Sequence, residues 1–85
     1  MNKYRIKALV NKSLGAWLKN QRRKAGQPLD AAAEHIGNTA TELKHVEMGD
    51  TPIKFRDFAK LITFYRVPPI KVIQLFNGIY LRIRK

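Results

Sequence analysis

Between Thr39 and Gly49 the chain carries side chains suited to hydrogen bonding with a flat, polar partner. Wound as a helix, Thr39, Leu43, Val46 and Glu47 fall on one face, and Ala40, Thr41, Lys44, His45 and Met48 on the other. The second face is small and polar, with a hydroxyl, an ammonium and an imidazole beside a methyl group. Side chains this short let a helix sit against base edges in a major groove. The preceding stretch, Ala33-Glu34-His35-Ile36-Gly37, reads as a second short helix closed by Gly37, because glycine takes the left-handed position at a helix end without steric cost.

Other chemistries lack their groups. His35 and His45 are the only histidines, they fall on different helices, and there is no cysteine, so neither a zinc site nor a disulfide is expected. No Ser/His/Asp set, carboxylate pair in a cleft or Gly-rich phosphate loop can be assembled. Asp30, Glu34, Glu42, Asp50 and Asp57 read as caps, solvated faces or dipole partners. The chain is therefore not expected to be an enzyme or to need a cofactor.

The elements that position these residues follow from periodicity. Ser13 is a candidate N-cap for a first helix running to Ala25, with Leu14, Trp17, Leu18 and Gln21 on one face and Gly26 as terminator. Pro28 suits the entry to the second helix, and Ala31-Ala32-Ala33 keep that helix slim. After the loop at Gly49-Asp50-Thr51-Pro52, a fourth helix over 54–64 presents Phe55, Phe58, Leu61, Ile62 and Tyr65 at helical spacing. Most aromatics read as core; Tyr4 and Tyr80 stay open. Val67-Pro68-Pro69 breaks the fourth helix, and a fifth spans about 70–76. Asn77-Gly78 is a turn signal.

From Leu14 to about Pro68 the chain resembles the lambda repressor/Cro type of helix-turn-helix domain, the XRE family. The landmarks are Leu14-Gly15, Leu18, Arg22, Gly26, Ala33, Ile36-Gly37, Leu43, Val46-Glu47, Gly49, Phe55, Phe58, Leu61, Tyr65 and Val67. The resemblance implies a mostly α fold, a compact five-helix lambda-repressor-like bundle, over residues 13–76. It implies base reading by Ala40, Thr41, Lys44 and His45, with Thr39 near the backbone. Ala40 offers apolar contact to a thymine methyl, Thr41 donates or accepts, and Lys44 reaches guanine acceptors or a phosphate. His45 can donate to guanine. Glu42 either accepts from cytosine N4 or points away. The family often has Gln in the first turn of its second helix, against a phosphate; Leu29 stands there. Arg23, Lys24 and Lys12 are candidate substitutes. The resemblance also pairs Arg22 with Glu47, since a carboxylate facing the core at a helix C-terminus needs a cation.

The resemblance points to a regulator of transcription, a repressor, binding a palindromic operator as a homodimer. Two other classes compete. One is an antitoxin-like adaptor that also binds a partner protein. The other is a nonspecific nucleic-acid binder, favoured by the net charge of +11. The first 25 residues hold eight cations and no acid, and residues 60–85 hold six more cations; the six acids lie between. Phosphate contacts must then come mainly from the flanks. No apolar run approaches a membrane span and no leader pattern is seen, so a cytoplasmic location is expected.

The two ends fall outside the resemblance. Residues 1–12 form a basic arm and 77–85 a basic tail, and both alternate: Tyr4, Ile6 and Ala8 against Lys3, Arg5 and Lys7, and Ile79, Leu81 and Ile83 against Tyr80, Arg82 and Arg84. Period two predicts short terminal β-strands. Paired across a two-fold axis on a floor of Ile73 and Phe76, they would build the dimer and leave their basic faces for phosphates.

Overall fold

The computed structural model describes residues 2–84. Met1 and Lys85, the outermost residues of the arm and the tail, lie outside the described residues. Five helices follow one another: α1 (Lys3–Lys24), α2 (Leu29–His35), α3 (Ala40–Met48), α4 (Phe55–Phe64) and α5 (Pro69–Arg84). Leu18 of α1, Ala32 and Ala33 of α2, Leu43 of α3 and Leu61 of α4 are almost wholly enclosed at their meeting point. Alanines let α2 lie close to α3. Trp17 stacks on Phe58 with ring centres 5.9 Å apart, and Phe76 meets the same Phe58 edge-on, which ties α1, α4 and α5 together.

The expected terminal strands are absent among the described residues. Both segments are helical. Helix α1 begins ten residues before Ser13, at an N-cap made by Asn2, whose side-chain oxygen accepts from the Arg5 N–H at 2.9 Å. Ile6, Leu9 and Val10 are half-buried while Tyr4 and Ala8 are exposed. The apolar series thus continues the three–four spacing of Leu14, Trp17 and Leu18 rather than alternating. Ser13 sits inside the helix, where its hydroxyl accepts from Arg82 at 3.3 Å.

At the other end, Asn77-Gly78 makes no turn and α5 runs through it. Val72, Leu75, Ile79 and Ile83 form the inward seam, with Ile79 buried. Leu81, the middle residue of the alternating triplet, faces solvent. A six-residue alternation is compatible with either structure. An isolated strand would leave backbone groups unpaired, whereas a helix pairs its own and packs α5 along α1.

Phe55 departs from the expected core face: it is 84% exposed at the start of α4, while Phe58, Leu61 and Tyr65 turn inward.

Gly15 is where α1 comes closest to α3. A Cβ built there would overlap the carbonyl oxygen of Val46 and lie 2.8 Å from that of Glu47. Both are backbone atoms, so no side chain can yield. In an open helix Gly→Ala would stabilise by about 1 kcal/mol. Here Gly15→Ala should instead cost about 1–3 kcal/mol in urea unfolding, because α3 must move away.

Candidate nucleic-acid interface

The α2–α3 corner is built from local bonds. Gly37 adopts a φ of +73°, and the Asn38 N–H reaches back to the Ala33 carbonyl at 2.9 Å. Thr39 then caps α3. Its hydroxyl accepts from the Glu42 N–H at 3.1 Å, and the Glu42 carboxylate accepts from the Thr39 N–H at 2.8 Å. The bond from the Thr39 N–H, foremost, and the Thr39 hydroxyl beside the carboxylate hold the Glu42 carboxyl below its usual pKa. Glu42 is thereby occupied at the helix start. Thr39, exposed, also has its hydroxyl engaged.

One face of α3 is sealed. Leu43, Val46 and Glu47 are buried, while Thr41, Lys44 and His45 are exposed and Ala40 is half-buried. His45 Nδ1 lies 3.3 Å from the Asp50 carboxylate. A carboxylate only accepts, so Nδ1 carries the hydrogen, and Nε2 is an acceptor in the neutral ring and a donor in the imidazolium. A neutral His45 therefore suits an amino donor on a base, and donation to guanine requires the imidazolium.

The end of α3 is anchored by Arg22. Its Nε donates to one oxygen of Glu47 at 2.8 Å and an outer nitrogen donates to the other at 3.1 Å. The remaining outer nitrogen donates to the Gln27 carbonyl at 3.0 Å. Both side chains are mostly enclosed, with 12% and 4% exposed. The hydrogen bond that Arg22 donates to Glu47 pushes the guanidinium pKa up, against the opposing effect of burial. Arg22 thus joins α1, α3 and the α1–α2 turn and is turned away from solvent.

Tyr65 lies beside this pair. Its hydroxyl is buried with no hydrogen-bond partner among the described residues. Burial, helped by the Glu47 charge, raises its pKa well above the ordinary 10.

The remaining cations are dispersed. Arg23 and Lys24 are exposed in the last turn of α1. Leu29, in the position where the family often has Gln, packs against the core instead. The stem of Lys12 lies against Gly49, whose Cβ would meet Lys12 Cγ at 2.7 Å, so this lysine sits at the end of α3. Lys54 was not singled out from sequence. It lines a cleft of about 260 Å³ with Asn38, Glu42 and His45, bringing the start of α4 beside the open face of α3. A basic residue just before a helix was its sequence signal.

The residues assigned to dimerisation separate. Ile73 and Phe76 are exposed at 62% and 47%, Leu81 is exposed, Ile83 is half-buried and Ile79 is buried within the chain. With Ile70 and Tyr80, Ile73 and Leu81 lie along one outward stripe of α5, while Phe76 turns to Phe58.

No helix among the described residues is long and apolar enough to cross a membrane, and no group of acids and histidines there could hold a metal ion. A family model described as a helix-turn-helix domain matches residues 13–72. No curated protein and no solved structure matches the chain.

Two expectations follow. Arg22→Ala strands Glu47 in the core and should cost about 3–5 kcal/mol in urea unfolding; a loss under about 1 kcal/mol would place the pair on the surface energetically. Tyr65→Phe removes an unpartnered hydroxyl and should cost less than about 1 kcal/mol at neutral pH. The unfolded tyrosine ionises near pH 10 while the folded one stays protonated. Tyr65 therefore favours unfolding as pH rises past 10, and the phenylalanine variant should lose less stability there.

Proposed function

The chain belongs to the helix-turn-helix domain family, its match covering residues 13–72, and from that premise we propose that it is a sequence-specific transcriptional repressor. It binds a palindromic operator as a homodimer, with α3 in the major groove. One observation carries the reading: α3 offers exposed Thr41, Lys44 and His45 on one side while its other side is locked to the bundle. A reader needs both, because side chains on a loosely held helix cannot hold a hydrogen-bond register.

Thr41 and His45 discriminate bases, Lys44 reaches guanine or phosphate, and Ala40 leaves room for a thymine methyl. Arg23, Lys24, Lys12 and Lys54 hold phosphates, and the exposed cations of α1 and α5, Lys3, Arg5, Lys7, Arg82 and Arg84, add long-range attraction. The dimer forms through the exposed stripe of α5, Ile70, Ile73, Tyr80 and Leu81, since helical ends leave no strands to pair. Two copies are needed because one module contacts too few bases for high specificity.

Selection of bound sequences from a random DNA pool at near-physiological salt tests the reading and should return a two-fold symmetric site. Against that site Thr41→Ala or His45→Ala should lose about 1–3 kcal/mol, with nonspecific binding nearly unchanged. Equal losses on chosen and random DNA would refute base reading by these residues. In sedimentation, Ile73→Glu should shift the protein toward monomer and lower operator affinity with it.

A further inference from the structure

Between α1 and α5 lies an open groove of about 530 Å³, a size typical of small-molecule sites. Its walls are Leu9, Ala16 and Trp17 from α1 and Leu75, Gly78 and Ile79 from α5. Ala16 and Gly78 keep the two helices from filling the seam. Gly78 is the informative one. It lies inside a helix without positive φ, and a Cβ there would meet nothing within 4 Å. Neither backbone conformation nor close packing asks for glycine, although it costs about 1 kcal/mol of helix stability relative to alanine. Its effect is to keep the groove open.

The polar lining is cationic at one end and holds the neutral Gln74 toward the other. Lys12, Ser13 and Arg82 stand at one end, the Arg82 guanidinium donating to Ser13 Oγ at 3.3 Å. No acid lines the groove, and all six acids of the chain lie between residues 30 and 57. Neither Lys12 nor Arg82 has a carboxylate partner among the described residues. The helices run antiparallel, since Ser13 meets Arg82 while Trp17 and Leu75 lie toward the other end. From Arg82 to Leu75 is seven residues, about 10 Å of helix. That is the reach of an extended medium-chain acid.

We propose that this groove binds a medium-chain carboxylate, its head group between Lys12 and Arg82 and its chain along Gly78 toward Trp17 and Leu75. Charge at one end and a mostly apolar lining along the rest match such a molecule. The groove lies on the side of α5 away from Ile73 and Tyr80, so occupancy leaves the exposed stripe free.

Trp17 is the sole tryptophan and reports directly on the groove. Titrating the full chain with decanoate below its micelle-forming concentration should change Trp17 emission saturably. Decanol, with the same chain and no charge, should bind at least about tenfold more weakly. Arg82→Gln should weaken decanoate by about tenfold, the loss of one charge-assisted contact, and Gly78→Leu should abolish binding by filling the groove. Circular dichroism checks that the leucine variant folds; if it does not, Arg82→Gln and the decanol comparison decide. No saturable change in the natural sequence overturns the site. Equal binding of decanol, or undiminished binding in Arg82→Gln, overturns carboxylate recognition. Undiminished binding in a folded Gly78→Leu shows general adsorption to a cationic surface and overturns the groove.

Discussion

The Glu47 carboxylate points into the core from the last turn of α3, where the carbonyl ends of the helix are already negative. Left alone there it would be costly to bury. Arg22 answers it with two hydrogen bonds and uses its third contact on the Gln27 carbonyl, so one guanidinium sets the distance between α1, α3 and the turn into α2. The absence of a side chain at Gly15 lets α1 come that close. The pair and the glycine depend on each other: without the close approach the guanidinium could not reach, and without the guanidinium the carboxylate would pull toward water.

Holding α3 at its end while capping it at its start gives the exposed face of α3 its geometry. Thr39 and Glu42 satisfy the first turn, and the closure at Gly49 satisfies the last, where the Asp50 N–H reaches the His45 carbonyl at 2.9 Å. The same Asp50 turns its carboxylate to the His45 ring. A residue of the loop thus influences which hydrogen-bonding character His45 offers outward. Acidic side chains near the proposed DNA-facing surface look unfavourable by charge alone. Here Glu42 and Asp50 are engaged by protein partners.

The charge layout also acquires a shape. The cations of the first and last segments lie on the far ends of two long helices packed side by side, not on flexible arms. Their field is therefore fixed relative to α3. The apolar residues among them divide between an inward seam around the buried Ile79 and an outward stripe including Ile73 and Tyr80.

How much could be read before folding differs by element. The α2–α3 corner was legible because its signals are local: a glycine that must take positive φ, a threonine three residues before a glutamate, and apolar residues at three–four spacing. Helix α4 and the breaks at Gly26 and Pro68-Pro69 were legible for the same reason. The terminal segments were not. Over six residues, residue type alone does not separate alternation from a helical stripe, and Asn77-Gly78 has the chemistry of a turn. What decided was a partner elsewhere in the chain: α1 and α5 each offer the other an apolar seam in helical register, and a helix needs no neighbour to pair its backbone. The opening of the groove at Gly78 and the exposure of Phe55 belong to the same class. Both depend on which surface another helix covers, and that is a property of the packed bundle rather than of any stretch of residues.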